Sequence, residues 1–211
     1  MIGHFLANSA FLSSSNVLGQ LISSSLVAYG FARMRFGGRD VIFMLLLSTM
    51  MLPGHVTLIP LYVTYRDLGW LDSFKPLIVP NFLGSSFYIF LLRQFFLGLP
   101  LELDDAAKID GCNAFDIYWR IILPLAKPAL ATIAIFCFIS NWNSFFEPLL
   151  YLHSLEKMTV AVGLRFFKSY HDVEFGPLMA GSTLSVLPIV VVFFFAEKQF
   201  IQGIALTGIK G

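Results

Sequence analysis

Apolar residues fall in five long blocks, with the charges confined to the segments between them. No Asp, Glu, Lys or Arg occurs in residues 1–32, 41–65, 76–92, 128–146 or 175–196. A helix needs about 20 largely apolar residues to cross a bilayer, within a range of roughly 17–25. All five blocks meet that length. A membrane β-strand would alternate polar and apolar positions over about 10 residues, and these blocks do not alternate. The pattern predicts an all-α, polytopic membrane helical bundle with about five transmembrane helices. It reads as a single domain over residues 1–211.

Composition sharpens this reading. The chain is 57% hydrophobic and 13% charged, against about 25% charged in a typical soluble domain. A soluble fold of this size could not bury so much apolar surface, so membrane lipid is the expected surrounding. The net charge of +1 comes with no basic cluster, so no nucleic-acid partner is expected. Cys112 sits in a charged patch and Cys137 in an apolar block, so the pair makes no disulfide framework. His4, His55, His153 and His171 show no tandem ligand spacing, and no metal site is expected.

The segments between blocks set the orientation. ARMRFGGRD holds Arg33, Arg35 and Arg39 beside two membrane ends, and the positive-inside rule makes it cytoplasmic. Alternation then puts the segment around Arg66 to Lys75 outside and the segment with Lys108, Arg120 and Lys127 inside. The outer loop 150–174 follows, and the C-terminus, with Lys198 and Lys210, lies inside. Five crossings leave Met1 outside with no Lys or Arg near it, and no cleavable signal pattern stands ahead of it. The expectation is that an N-terminal helix is missing from this version of the chain.

The inner loop 98–124 is long for a connector, since helices in bundles are usually joined by about 2–8 residues. It reads as two short helices. Pro100 suits a first turn, and Glu102, Asp104 and Asp105 sit where the helix dipole favours acids. Gly111 can take the left-handed turn that ends a helix. A second helix starts near Asn113, with Phe115, Tyr118, Ile121 and Ile122 on one side, and Pro124 closes it. Ala106 and Ala107 let another surface approach closely, and the acids offer partners to Arg or Lys. An amphipathic hairpin lying on lipid headgroups is the plainer alternative, and its acids fit poorly with a negative inner leaflet.

DAAKIDGCNAFDIYWRIILP resembles the EAA loop of membrane subunits in binding-protein-dependent ABC importers. Ala106, Ala107, Asp110, Gly111, Ile121, Leu123 and Pro124 match that pattern. Asp105 stands where Glu is usual, and Cys112 where a small Ala is usual. NSAFLSSS, AYGFARMRFGGRD, MMLPGHVTLIPLY, FLLRQFF, NWNSFFEPLL and TGIKG extend the resemblance over nearly the whole chain, most closely to maltose-type sugar permeases without the large periplasmic domain. Those relatives have one more N-terminal helix. The resemblance implies a type I importer permease in the cell (inner) membrane, with Asp105 to Gly111, Ile121, Leu123 and Pro124 forming a lever that docks on an ATPase. It implies a second permease subunit in a heterodimer, two ATPase subunits and an extracytoplasmic solute-binding protein. The C-terminal tail would lie near the ATPase, with Lys210 in contact.

An energy source is otherwise hard to find in this chain. Ion-coupled carriers place ionisable groups within the membrane, and the blocks hold no Asp, Glu, Lys or Arg and only the histidines His4 and His55, each near a block's outer end. GIALTGIK falls short of a phosphate-binding loop, because Lys210 is one place late and no Ser or Thr follows. The chain is expected to be a non-catalytic subunit that binds no cofactor, with ATP and Mg held by the partner ATPase.

Three places could line a pathway. Asn16 and Gln20 lie one turn apart in the first block, among the Ser13–Ser15 and Ser23–Ser25 runs that also suit close helix packing. Pro53 and Gly54 could form a hinge or gate, or a plain structural kink. Asn141, Trp142, Asn143 and Phe145, with Glu147 beyond, offer amides for sugar hydroxyls and aromatic faces for sugar C–H groups. The Asn pair could equally bond between helices. Phe166, Phe167, Tyr170 and His171 could meet a binding protein or anchor at headgroups. A different small polar cargo such as glycerol phosphate, an ATP-independent carrier or channel, and an inert scaffold remain as alternatives.

Overall fold

The structure, a computed structural model, describes residues 2–167 and 175–207. The first block forms one unbroken helix, α1 (Ile2–Arg33). The second begins as α2 (Arg39–Ser48), tightens into a 3-10 turn at Thr49–Met51, and meets α3 (Gly54–Asp67) at a bend of 95°. The third opens with α4 (Lys75–Ile78), passes a tight turn at Val79–Leu83 and continues as α5 (Ser86–Leu97). The polar loop holds α6 (Glu102–Ile109), α7 (Ala114–Ile117), a π-turn at Tyr118–Ile122 and α8 (Leu123–Leu125). From there α9 (Lys127–Trp142) departs at 75°. Then come α10 (Phe146–Tyr151), α11 (Val160–Gly163) and the long α12 (Phe175–Thr207). The described residues contain no strand.

Each apolar block is therefore helical, but the five do not form five straight rods. Two described helices are long and apolar enough to cross a membrane unaided, Lys75–Leu97 and Phe175–Phe194; counting each bent pair as one span makes four. The second block breaks at Pro53, which lacks an N–H and adopts extended backbone (φ −61°, ψ 129°), and Leu52 before it is extended too, as residues preceding proline are. The other bend falls at Ala126, ahead of the fourth block and just before Lys127–Pro128. Pro124, expected to close the second hook helix, instead sits within α8. Proline at a helix's first positions loses no intrahelical bond.

α1 has the length of a span, at 32 residues, yet Ser, Asn and Gln dilute its hydrophobicity. The reason is its position. It packs along α5 on one side and α9 on the other, and α12 covers α9. Phe5, Ser9, Leu12, Asn16, Gln20, Ser24 and Ala28 are all buried, a helical face turned into the bundle rather than to lipid. At one end Ala28, Tyr29 and Phe31 pack with Phe43, Leu92, Phe96, Ile117, Tyr118, Ile122 and Ile133. At the other end Phe5 packs with Trp142, Met158, Val160 and Val162. Gly163 is needed there, because an added methyl group would come within 2.2 Å of the buried Phe5 ring.

Candidate functional site

The loop 98–124 folds as a hook. Asp104 and Ala107 of α6 face the bundle and are buried. Asp105, Ala106, Ile109, Asp110 and Gly111 face out, and Ile109 is 86% exposed. The motif residues thus divide between two sides of one helix. Gly111 has φ 81°, the left-handed turn expected of it. Asn113 caps α7 by accepting hydrogen bonds from the Phe115 and Asp116 amides, and Asp116 accepts from the Asn113 amide in return. Beyond the cap, Ile117, Tyr118 and Ile122 are the buried residues, Ile121 and Leu123 pack at the core's margin, and Phe115 is exposed. The π-turn shifts the helical phase, so the simple periodic face expected from Phe115 to Ile122 is not the one buried.

What holds the hook is α1. Arg33 at its end forms an ion pair with Asp104 at 2.8 Å, the two side chains being 3% and 8% exposed. The same guanidinium donates to the Phe96 and Leu99 carbonyls at 2.8 Å each. Neither Asp104 carboxylate oxygen has a hydrogen-bond partner of good geometry, so the Arg33 charge is its compensation. One turn back, the Tyr29 hydroxyl donates to the Ala114 carbonyl at 3.0 Å. The Ser25 and Tyr118 hydroxyls lie 2.7 Å apart within hydrogen-bond reach. Sequence reading took Arg33 only as a topology marker and missed Tyr29, Ser25 and Tyr118 as anchors. Burial cannot be seen in an Arg that also satisfies the positive-inside rule.

Midway along α1 lies a cluster of amides. Asn16 donates to the Asn141 side-chain carbonyl of α9. Asn141 in turn donates to the Cys137 carbonyl at 2.8 Å. Gln20 donates to Asn81 at 3.0 Å and accepts from the Ser85 amide at 2.9 Å. These groups border a cavity of about 410 Å³, lined by Gln20, Asn81 and Asn141 with the aromatics Tyr65, Phe87, Tyr88 and Tyr151 and the acid Glu147. Leu61 and Tyr65, both on α3 beyond the Pro53–Gly54 bend, form part of its wall. Pro53 and Gly54 themselves are at the bend and do not line it.

The Asn141–Phe145 stretch is not presented to one place. Asn141 lines the cavity. Trp142 is buried, its indole N–H donating to the Ser185 carbonyl of α12 at 3.0 Å and its ring stacked on Phe138. Asn143 is exposed and donates back to the Ile139 carbonyl, and Phe145 is exposed outside the lining. Consecutive helical residues point about 100° apart, so three neighbours cannot share one wall. Tyr65 and Tyr151, which do reach the cavity, were missed because they lie far apart in the sequence, one at the end of the second block and the other in the outer loop.

At the end of the bundle away from the hook, Asp72 clamps two loops together. Its carboxylate accepts from the His153 and Ser154 amides at 3.0 and 2.8 Å and from the Ser154 hydroxyl, and it pairs with Lys157 at 3.0 Å. These hydrogen bonds, the Ser154 hydroxyl's first, hold its pKa far below the usual carboxylate range. Asp72 has φ 52°, a strained angle for a residue with a side chain. Asn8 of α1 joins this end by donating to the Glu156 and Met158 carbonyls at 2.7 and 3.0 Å. Phe167 is half-buried; Tyr170, His171 and Lys210, and the side chain of Phe166, lie outside the described residues.

Comparison with known proteins accounts for this layout. Residues 20–205 match the model of the family described as binding-protein-dependent transport system inner membrane component. The arabinooligosaccharides transport system permease protein AraQ of Bacillus subtilis (strain 168) is 38% identical over 204 residues, covering 97% of this chain and 72% of that one. The lactose transport system permease protein LacG of Rhizobium radiobacter is 34% identical over 183 residues, covering 87% and 67%. A crystal structure of a bacterial ABC transporter involved in import of the acidic polysaccharide alginate aligns with a TM-score of 0.83 at 30% identity, covering 93% of this chain and 74% of that one. The chain belongs to the family of inner membrane components of binding-protein-dependent transport systems, and it has the fold of an ABC importer permease.

Proposed function

We propose that this chain is a membrane-spanning subunit of an ATP-driven importer for a sugar or oligosaccharide delivered by a solute-binding protein. It pairs with a second permease subunit as a heterodimer, and two ATPase subunits bind ATP with Mg and hydrolyse it. The chain itself catalyses nothing and holds no cofactor. The hook and the C-terminus lie in the cytoplasm, with the Asp72 clamp outside. Arg35, which borders the hook residues Asp104, Asp105 and Lys108, supports this orientation.

One observation carries the reading. The hook turns Asp105, Ala106, Ile109 and Asp110 outward, while Asp104 ties it to the α1 helix that reaches the amide-lined cavity. A helix exposing a flat alanine and acids to solvent on a buried mount is a docking surface with a transmission behind it. Asn141 is the pathway residue of the Asn141–Phe145 stretch. The Pro53–Gly54 bend is the hinge that lets α3 and its Tyr65 move against the cavity.

The test is removal of Ala106 to Gly111 in the assembled importer. Membrane insertion should survive, because the five apolar blocks are untouched. ATP hydrolysis should no longer respond to loaded binding protein, and uptake should be lost. Uptake at the parental rate by this variant overturns the coupling role.

A further inference from the structure

The cavity beside α1 carries a charge pattern that bears on its cargo. Its lining has amides at Gln20, Asn81 and Asn141, aromatic walls at Tyr65 and Tyr151, and one ionisable carboxylate, Glu147. No Lys or Arg lines it among the described residues. Two of the cations near that end are paired with other acids, Arg66 with Asp67 at 2.9 Å and Lys157 with Asp72 at 3.0 Å. Lys75 precedes Pro76 of the lining and is itself outside it. Among the described residues Glu147 receives only a long hydrogen bond, 3.4 Å, from the Ser144 hydroxyl. Its carboxylate is therefore open to a further donor.

We infer that Glu147 is a specificity-determining residue that admits neutral saccharides to this cavity and repels acidic ones. The inference rests on the sugar-import reading and adds the charge class of the cargo. A carboxylate accepts hydrogen bonds from sugar hydroxyls, and charged acceptors make the stronger bonds. Amides supply both donors and acceptors, and tyrosine rings supply faces for C–H groups. A uronate or phosphate finds no cation in the lining to offset its desolvation, and it meets the like charge of Glu147, which lines the cavity and is itself exposed. Glu147 is on the Tyr65–Tyr151 side, where those rings meet edge to face at 5.3 Å and pack with Leu77 and Leu152, under the loops clamped by Asp72.

The experiment is equilibrium dialysis of labelled arabinotriose and trigalacturonate against the purified assembled importer, with the binding protein omitted so that its own selectivity does not enter. Wild type should favour the neutral trimer by about tenfold or more, since like charges even roughly 12 Å apart cost that much at an effective dielectric near 20. Glu147→Gln should narrow that ratio, and Glu147→Lys should reverse it. A ratio that is the same in wild type and both variants overturns the inference. Neutral-sugar uptake by the complete importer, binding protein included, is measured alongside. If uptake is intact and the ratio ignores residue 147, charge selection alone fails. If wild type neither transports nor binds the neutral trimer, the sugar reading fails and this inference with it.

Discussion

Replacing Arg33 with Met tests the mounting of the hook most directly. The substitution removes the guanidinium and leaves an apolar side chain of similar length. It leaves Asp104, 8% exposed, with no compensating charge and no hydrogen bond of good geometry. It also frees the Phe96 and Leu99 carbonyls, which Arg33 now satisfies at 2.8 Å each. Breaking one side of a buried pair costs about 3–5 kcal/mol; the two carbonyl bonds belong to the same side chain and are not added separately. Reversible SDS unfolding in mixed micelles should show a loss of that size. Arg33→Met with Asp104→Leu should recover most of it, because no charge is left buried. The double variant should still transport poorly per ATP hydrolysed, since an apolar contact fixes the hook's orientation less tightly than the ion pair with its two carbonyl bonds. A loss below about 1 kcal/mol in the single variant, the value of a solvent-exposed pair, would refute the claim that this latch is buried and structural.

Gly111→Ala should strain the hook by about 1–2 kcal/mol, because the residue sits in the left-handed region, and hydrogen exchange should rise in Glu102–Ile109 while the apolar helices keep their protection. Asn141→Ala should weaken saccharide binding by about tenfold, the loss of one or two hydrogen bonds, whereas Asn143→Ala, outside the cavity, should leave it unchanged; equal effects in both would show that Asn141 has no special place. The Asp72 clamp has a defined pH sign. Its folded pKa is depressed, so the clamp contributes fully above the unfolded value of about 4 and weakens only as pH falls below that. Proteolysis of the 150–157 segment should be flat from pH 7 to 5 and rise below pH 4, and Asp72→Asn should be cleaved readily at every pH.

The blocks, the hook and the break at Pro53 were legible because each rests on local chemistry. Absence of charge, a proline without its N–H and a glycine at a turn act within a few residues. The role of α1 was not legible. Its serines suited close packing and its Asn16 and Gln20 suited a polar stripe, and both descriptions hold at once: Ser24 and Ser25 are buried against neighbours while Gln20 borders the cavity. Trp142 shows the limit from the other side. Beside two asparagines it suited a sugar, but its indole N–H is taken by Ser185, 43 positions along the chain. Such pairings depend on which helices become neighbours, and no local pattern encodes that.

The same helix is tied at three levels, and this constrains how the molecule can move. Near one end Asn8 donates to the Glu156 and Met158 carbonyls, and Ser9 accepts from the Val160 amide at 2.8 Å. In the middle Asn16 and Gln20 hold Asn141, Asn81 and Ser85. At the other end Tyr29 and Arg33 hold the hook. α1 has no proline and no break over its 32 residues, so a displacement of the hook cannot be absorbed within it. The bends lie elsewhere: at Pro53 between α2 and α3, and at Ala126 before α9, while α12 carries Pro188. A push on the hook must therefore carry α1 and its amides as one body, while the bent helices around it change angle. The unbroken α1 thus contributes Gln20 to the cavity's lining, and α3, beyond the bend, contributes Leu61 and Tyr65. If the Pro53–Gly54 bend is the hinge proposed above, opening and closing of the cavity would need only relative motion of these parts of the wall, with no helix unfolding.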